Sequence, residues 1–458
     1  MNRIRKAGVL SALPIVVALS ACDILTVRDP GRYDNEDLDD ALDAVANTVE
    51  GSGQDYVDWY VLWQSLLSDV YMSTGWYTTT FGIVDEGRSH YGTYPTSQEN
   101  FVYSSFKRNF PDGMTAHRWF ARESWDRLKR VLLTEAEVNS DVRSVQVLLG
   151  DALLDMYLGL FSCEGPLEKS PSPMAADIQI YHKAAETFSR VMELVPNVDP
   201  EVLEKRPDYM NAARTGRALM LMLMEDYDAA AAEAAAVPDG FSYDALHTTS
   251  TWLQNNAVVV YSTNYARNAG LMPWLWDRIE EGYSSTYIKD LMDPVDVAEY
   301  DMRMPALKRP FSLGYDGETP HYSQMKYELR DDPIPMLHSD HARLIEAEAK
   351  VKSGDYAGAT AILNKLRSRV DLRPIDVPTN EEDMMEFLLN ERFAELFMEG
   401  YRAVDLYRYD LTLDLFDGFE DPVRPGAGRP TKFPGSSREA QLNPEIENER
   451  TIRCEPVA

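Results

Sequence analysis

The chain has 458 residues, which is enough to bury a large hydrophobic core in one or two domains. Its formal net charge of −30 at pH 7 argues against nucleic-acid binding, because the phosphates would be repelled, and against a polybasic membrane-binding surface. An acidic surface of this kind keeps an exported protein soluble and says little else about function.

The N-terminus has the pattern of a bacterial lipoprotein signal peptide. Basic residues precede an apolar run from Val9 to Leu19, which is too short for a spanning helix of ~20 residues. Small residues at Ser20 and Ala21 precede Cys22. We therefore expect residues 1–21 to be removed and the thiol of Cys22 to be acylated, for example with palmitate. An ordinary cleaved signal with an incidental cysteine is the alternative.

Two further cysteines, Cys163 and Cys454, remain. An exported location permits a disulfide between them, but the sequence does not show that they meet. Cys163 follows an apolar helical stretch, and we interpret it as a small buried side chain.

Apolar residues recur at helical spacing through most of the first 237 residues. The predicted helices cover 37–70, with a break at Gly51-Ser52-Gly53, and then 115–138, 142–161, 178–194, 208–224 and 227–237. The last two form a hairpin, and such a pair cannot bury its own apolar face, so several pairs must share a core. Four helical tryptophans are predicted to lie in that core: Trp59, Trp63, Trp119 and Trp125.

Helical periodicity fades between residues 238 and 335, where turn residues and aromatic residues accumulate. The run of β-branched residues at 257–261 predicts a short strand. A loop-rich insert of this length inside a compact domain is usually functional.

A second helical hairpin follows, beginning at His341. Apolar residues recur at helical spacing to Val351, Gly354-Asp355 breaks the helix, and the apolar stripe restarts at Tyr356. This pattern is typical of a tetratricopeptide hairpin.

The hairpin is followed by a charged helix in which Glu391, Glu395 and Glu399 repeat every four residues. Four more charged residues are interleaved or follow: Arg392, Arg402, Asp405 and Arg408. We interpret these charges as structural, pairing along the helix and onto the neighbouring hairpin.

Together, the hairpin and the charged helix resemble the C-terminal signature of the SusD/RagB family. Gly165-Pro166-Leu167 is similar to a turn of that family, and Phe433-Pro434 and Asn443-Pro444 resemble its closing segment. The resemblance implies a mainly α fold, in which tetratricopeptide-like helix pairs form a superhelical scaffold beside an irregular, loop-rich second lobe. The expected regions are the signal peptide 1–21, an N-terminal helical region 22–237, the insert 238–335 and the signature region 336–458.

The resemblance also implies a function. Members of this family are outer-membrane lipoproteins that capture nutrients, usually glycans, for a partner SusC-like TonB-dependent transporter. We therefore expect a binding protein that is anchored through its lipid to the cell outer membrane and faces the cell exterior.

No catalytic signature stands out in the sequence. It has no His-Glu-x-x-His, no Gly-x-Ser-x-Gly and no phosphate-binding Gly-x-x-x-x-Gly-Lys pattern. His338 and His341 have a spacing that metal ligands use, but without a third ligand we interpret them as structural. The 75 carboxylates are too many for a catalytic pair to be singled out. We expect no enzyme activity.

Aromatic residues in the loop-rich segments are the better candidates for a site, because their flat apolar faces suit the C–H faces of sugar rings. The resemblance to the family indicates only where these loop segments lie, and it identifies no individual binding residue. The candidate ligand-binding residues are Trp76, Tyr77, Asp85, Arg88, Tyr91, Tyr94, Trp252, Trp274, Trp276, Tyr283 and Tyr287. The alternative is that these rings pack the interface between lobes.

Two other functions remain open, an exported carbohydrate-active hydrolase and a tetratricopeptide scaffold that binds only proteins. No cofactor is expected. A structural Ca²⁺ near acidic loops such as Asp331-Asp332 is conceivable, but the spacing of an EF-hand is not present and no metal is assigned.

Overall fold

The computed structural model describes residues 39–74, 113–132, 134–169, 172–263, 266–282, 284, 286–411 and 432. The chain divides into two compact units, Met1–Leu42 and Asp43–Ala458. Only residues 39–42 of the first unit are described. The signal peptide and Cys22 lie outside the described residues.

Helices dominate the described part of the chain. They are α1 (Leu42–Asp55), α2 (Val57–Leu67), α3 (Gly113–Val131), α4 (Glu135–Ser140), α5 (Val142–Phe161), α6 (Asp177–Leu194), α7 (Pro200–Leu203), α8 (Tyr209–Leu223), α9 (Tyr227–Ala235), α10 (Ala257–Ser262), α11 (Ser339–Lys352), α12 (Tyr356–Ser368), α13 (Glu381–Glu395) and α14 (Arg402–Arg408).

Helices α3, α5, α6, α8, α9, α11 and α12 pack one against the next in this order, and α13 closes against α11 and α12. Each helix therefore buries one face on its predecessor and another on its successor, as a tetratricopeptide-like array requires. The predicted fold class is confirmed.

Both predicted hairpins have the same turn. Glu225 and Gly354 adopt positive φ angles of 63° and 79°. The next residue, Asp226 or Asp355, caps the second helix by accepting a hydrogen bond from a backbone N–H three residues further on. Local chain chemistry therefore sets these two turns, which is why the sequence could predict them.

Helix α5 is the central helix of the core. Within the described residues it is the one helix long and apolar enough to cross a membrane, and its most apolar window is completely buried in the protein. It is therefore a core helix, sandwiched between α3 and α6.

The described part of the chain also contains short strands, most of them in the loop-rich segment. They are β1 (Tyr71–Ser73), β2 (Glu164–Pro166), β3 (Met174–Ala176), β4 (Ser242–Ala245), β5 (Ala269–Leu271), β6 (Thr286–Lys289), β7 (Tyr300–Leu307), β8 (Ser323–Gln324) and β9 (Ile334–His338). The pairs β1–β5, β2–β3 and β4–β9 and the three-stranded sheet β6–β7–β8 are all antiparallel.

The strand predicted at 257–261 is wrong, because these residues form α10. Asn256 caps the helix through its Oδ1, which accepts from Val259 N–H at 3.3 Å. Asp58, on α2, accepts from Ala257 N–H at 3.0 Å. Capping and burial against α2 override the strand preference of the β-branched run.

Two helix boundaries also differ from the prediction. Helix α1 continues through Gly51-Ser52-Gly53, and the break comes at Tyr56. The predicted helix 115–138 divides because Thr134 forms a capping box with Glu137 and starts α4.

Cys163 is disulfide-bonded as well as buried. The other cysteines, Cys22 and Cys454, lie outside the described residues. A disulfide agrees with an oxidising compartment.

Lys432 is buried in the helical array, where its hydrogen-bond partners precede it by 251 to 273 residues. Its Nζ donates to Gly159 O, Asp177 Oδ2 and the hydroxyl of Tyr181. The three N–H donors of the ammonium group thus have three acceptors. Burial lowers the pKa of Lys432, and the carboxylate of Asp177 opposes that effect.

Candidate functional site

The pairing of β1 with β5 places one group of predicted ligand-binding aromatics. Tyr71 lies opposite Leu271 in this antiparallel pair. The 3₁₀ turn Pro273–Arg278 follows β5 after one residue and carries Trp274 and Trp276. The strand pairing therefore fixes this turn beside the end of α2, because β1 follows α2 in the chain.

Trp274 is 41% exposed but is held firmly. Its Nε1–H donates to Asp69 O at 2.6 Å. Its ring meets the edge of Phe393, with centroids 5.6 Å apart. The ring therefore presents a fixed, partly open face.

Trp276 is half-buried. Its Nε1–H donates to Leu271 O at 2.7 Å, and its ring stacks on Tyr322 with centroids 4.8 Å apart and planes inclined by 12°. The Nζ of Lys308 lies 5.1 Å from the centroid of Tyr322. This stack packs one face of the indole against the protein.

The other described candidates lie on different elements. Trp252 is 58% exposed on the 3₁₀ turn Trp252–Gln254. Tyr287, half-buried on β6, faces Pro305 on β7, and β6 packs beside the turn that carries Trp274 and Trp276. The remaining candidates lie outside the described residues: Trp76, Tyr77, Asp85, Arg88, Tyr91, Tyr94 and Tyr283.

The loop between β7 and β8 adds exposed apolar residues that the sequence analysis did not select. Phe311 is 96% exposed and has a φ of 61°. Tyr315 is also exposed, and its backbone N–H donates to Arg267 O at 3.0 Å. The signal in the sequence was the mixture of aromatic and turn residues at 309–322. Trp274 and Tyr315 lie at opposite ends of the β1–β5 pair.

Two of the four helical tryptophans do not lie in the core as predicted. Trp59 and Trp63 are buried, whereas Trp119 is 45% exposed on α3 and Trp125 is half-buried. Helix α3 is the first of the packed series, so part of its surface has no described helix against it.

The charged C-terminal helices hold a buried ionic network. Arg392 binds Glu348 of α11 and also donates to Asp405 at 2.7 Å. Arg408 donates to both carboxylate oxygens of Glu348. Burial alone would raise the pKa of Glu348, but Arg408 and Arg392 hold it well below its usual range.

A second set of charges links α13 to the loop-rich segment. Glu391 accepts from Arg367 and from Arg303, at 2.5 and 2.8 Å. Arg402 makes a two-point contact with Asp69, with both distances 2.8 Å. Arg392 and Glu391 thus pair onto α11 and α12 of the neighbouring hairpin, as predicted. The predicted pairing along the helix is corrected: among the described residues of this cluster it is limited to Arg408 and Asp405, 3.9 Å apart. The structural interpretation of the cluster agrees with these contacts.

His338 and His341 do not face a common ligand. His338 Nε2 lies 2.9 Å from Glu399 Oε2, whereas His341 packs against the ring of Tyr401. Throughout the described ranges, His, Cys, Asp and Glu form no group of three or more that could hold a metal ion.

Comparison with known proteins shows which proteins this chain resembles. A model of the SusD family matches residues 343–447. No curated protein matches the chain by sequence.

Solved structures share the fold over most of the chain. A SusD superfamily protein from Bacteroides vulgatus is 14% identical with a TM-score of 0.63, covering 89% of this chain and 98% of its own. A laminarin-binding SusD-like protein is 16% identical with a TM-score of 0.65 and the same coverage. A SusD-like carbohydrate-binding protein from Bacteroides vulgatus is 15% identical with a TM-score of 0.56, covering 79% and 82%.

These matches define a SusD-like protein by fold. The family model matches the C-terminal region, residues 343–447, where the sequence analysis placed the resemblance to this family.

Proposed function

We propose that this chain is a cell-surface binding protein that captures a glycan and delivers it to a SusC-like TonB-dependent outer-membrane transporter, without chemical turnover. The observation that carries the proposal is the SusD fold together with the family match at 343–447. Structural neighbours with this fold are described as laminarin-binding and carbohydrate-binding proteins.

The exposed indoles support glycan as the ligand class. Trp252 and Trp274 offer exposed apolar faces on 3₁₀ turns of the loop-rich segment, and the ring of Trp274 is fixed by its hydrogen bond to Asp69 O. Rings that are already fixed lose little entropy on binding, and they suit the C–H faces of sugars.

Calorimetry of the soluble chain beginning at Asp23 tests this proposal against laminarin, starch and a peptide panel. We expect the parent to bind a polysaccharide and Trp252→Ala or Trp274→Ala to weaken that binding at least about tenfold. Trp119→Ala is the control, because this indole is exposed on α3.

Product analysis of the same mixtures tests the absence of catalysis. Polysaccharide cleavage would overturn the binding-protein proposal in favour of a hydrolase. Binding of proteins alone would favour the scaffold alternative.

The proposed lipid anchor and the proposed transporter partner are tested in intact cells. We expect the full chain to fractionate with the outer membrane, to be accessible from outside, and to co-purify with a TonB-dependent transporter in mild detergent. Cys22→Ala should release the chain from the membrane, since more than one acyl chain on that residue supplies stable anchoring. Unchanged membrane attachment of this variant would remove Cys22 as the anchor.

A further inference from the structure

A cleft of about 350 Å³ opens in the helical array, away from the aromatic turns. Helices α3, α5 and α6 and the segment after β2 form its walls. Its volume lies at the small end of the range for ligand pockets, so it suits a short ligand and not a polymer.

Two buried polar atoms at the cleft are unsatisfied. Asp151 is 7% exposed and lines the cleft. Its Oδ1 lies 3.3 Å from the Nε of Arg122, yet neither atom takes part in a hydrogen bond with any described residue. Arg122 instead uses its terminal nitrogens on Asp155 and on Leu167 O.

The carboxylate of Asp151 compensates part of the charge of the buried Arg122, but it does so without a hydrogen bond. Burial and the neighbouring Asp155 raise the pKa of Asp151 to about 7, against the opposing charges of Arg122, Arg118 and Lys183. A buried polar group without a hydrogen bond destabilises the folded state. An unsatisfied group of this kind calls for a partner, and a ligand in the cleft would supply one.

The cleft lining favours a neutral ligand. Four basic and four acidic side chains balance one another: Arg122, Lys169, Lys183 and Arg190 against Asp126, Asp151, Glu168 and Glu186. The basic groups at the rim already have partners, since Lys169 donates to Glu123 and Asp126, and Lys183 donates to Glu168.

One wall of the cleft is apolar. Trp125 and Leu148 line it, and the indole is half-buried beside the Nζ of Lys129 at 5.6 Å from the ring centroid. A ring with hydroxyl groups on its edge and C–H groups on its face would satisfy both the carboxylate and the indole.

We propose that this cleft is a second binding site, for one or two sugar rings, in which Asp151 accepts a hydrogen bond from a hydroxyl and Trp125 packs against the apolar face. The inference shares its ligand class with the proposed function and to that extent rests on it. The rings belong either to a free disaccharide or to the end of a longer chain.

Calorimetry with glucose, maltose, cellobiose and laminaribiose on the soluble chain tests the site, with laminarin in parallel. We expect the parent to bind at least one disaccharide, and Asp151→Asn and Trp125→Ala each to weaken that binding about tenfold or more, the effect of losing a hydrogen bond to a charged group. Trp119→Ala on the same helix should leave it unchanged. Asp151→Asn removes a charged partner of the buried Arg122, so its melting temperature is expected to fall, and a cooperative melting transition above the assay temperature shows that the variant is folded.

The outcomes separate the two proposals. Disaccharide binding that survives Asp151→Asn, or no disaccharide binding at all, overturns the cleft site, while laminarin binding that depends on Trp252 or Trp274 would still support the proposed function. Disaccharide binding that depends on Asp151, without any polysaccharide binding, would establish the cleft and contradict the polysaccharide site. Disaccharide binding that is lost in Asp151→Asn but survives Trp125→Ala would mean that the carboxylate acts through the fold, and would also overturn the site.

Discussion

Single buried ion pairs hold distant parts of this chain together. Arg402 and Asp69 are 333 residues apart and join α14 to the end of α2. The Arg402 guanidinium also lies 5.6 Å from the ring centroid of Phe393. Because both side chains are largely buried, removing one partner leaves an uncompensated charge in the other.

Arg402→Ala should therefore lower the free energy of unfolding by about 3 kcal/mol, as measured by urea denaturation. Lys365→Ala is the matched control, since Lys365 pairs with Asp239 on the open surface. That loss should stay below about 1 kcal/mol. Equal losses in the two variants would show that the Arg402 pair contributes no more than a surface pair.

The sequence predicted that these residues were structural and would pair partly onto the neighbouring hairpin, but not which residues would be their partners. Spacing along a helix shows only neighbours on that helix. The partner of Arg402 comes from another element, and so does the Arg367 that binds Glu391. The same limit applies to Asp151. In the sequence it is a polar residue in an apolar helix, and its spacing does not show that Arg122 of α3 pairs with it.

Close contact between helices depends on glycine at one position in the array. A Cβ added to Gly150 on α5 would lie 2.5 Å from Val49 O on α1. A backbone atom cannot move aside as a flexible side chain can. The two helix backbones therefore approach closely because residue 150 has no side chain.

We predict that Gly150→Ala lowers the free energy of unfolding by about 1–3 kcal/mol through overpacking, in spite of the better helix propensity of alanine. Gly51→Ala on α1 provides the comparison, because nothing lies within 4 Å of its added Cβ. The free energy of unfolding of Gly51→Ala should rise by up to about 1 kcal/mol. Chemical denaturation of both variants measures these changes. A higher free energy of unfolding in both variants would rule out overpacking at Gly150.

At the scale of elements, the helices of the array were predicted to within a few residues, because apolar periodicity and the Asp-capped turns are local signals. The error at 257–261 has a non-local cause. Asp58, which accepts a hydrogen bond at the N-terminus of α10, lies 199 residues earlier in the chain. A run of β-branched residues carries no sign of such a partner.

Proton binding links two buried histidines to the stability of the whole molecule. Burial lowers the pKa of His321 to about 4 and the pKa of His341 to about 3. The unfolded chain takes up these protons below about pH 6.5, so stability falls as the pH decreases from about 6.5 toward 4. His338 acts in the opposite direction: burial lowers its pKa, but Glu399 raises it above the usual value.

Asp151, whose pKa is raised to about 7 by burial and Asp155, opposes this loss over the same pH range. Urea denaturation of the parent and of His321→Gln at pH 6.5, 5.5 and 4.5 therefore isolates one histidine, and each of the two contributes up to about 1.4 kcal/mol per pH unit. His321→Gln should flatten the dependence by up to that amount, because an amide can still donate to Ser262 O but does not titrate. Glu399, whose pKa is lowered to about 2 mainly by Lys326 and His338 against the effect of burial, affects stability only below about pH 4.5. An identical slope in parent and variant would contradict the assignment to His321.

The burial of Lys432 has a consequence for the order of assembly. Its acceptors on α5 and α6 precede it by 251 to 273 residues. During synthesis these groups emerge early and must remain solvated until the donor arrives, so the array cannot reach its final packing before most of the chain has been made. A polypeptide that completes its core this late stays incompletely packed for most of its synthesis.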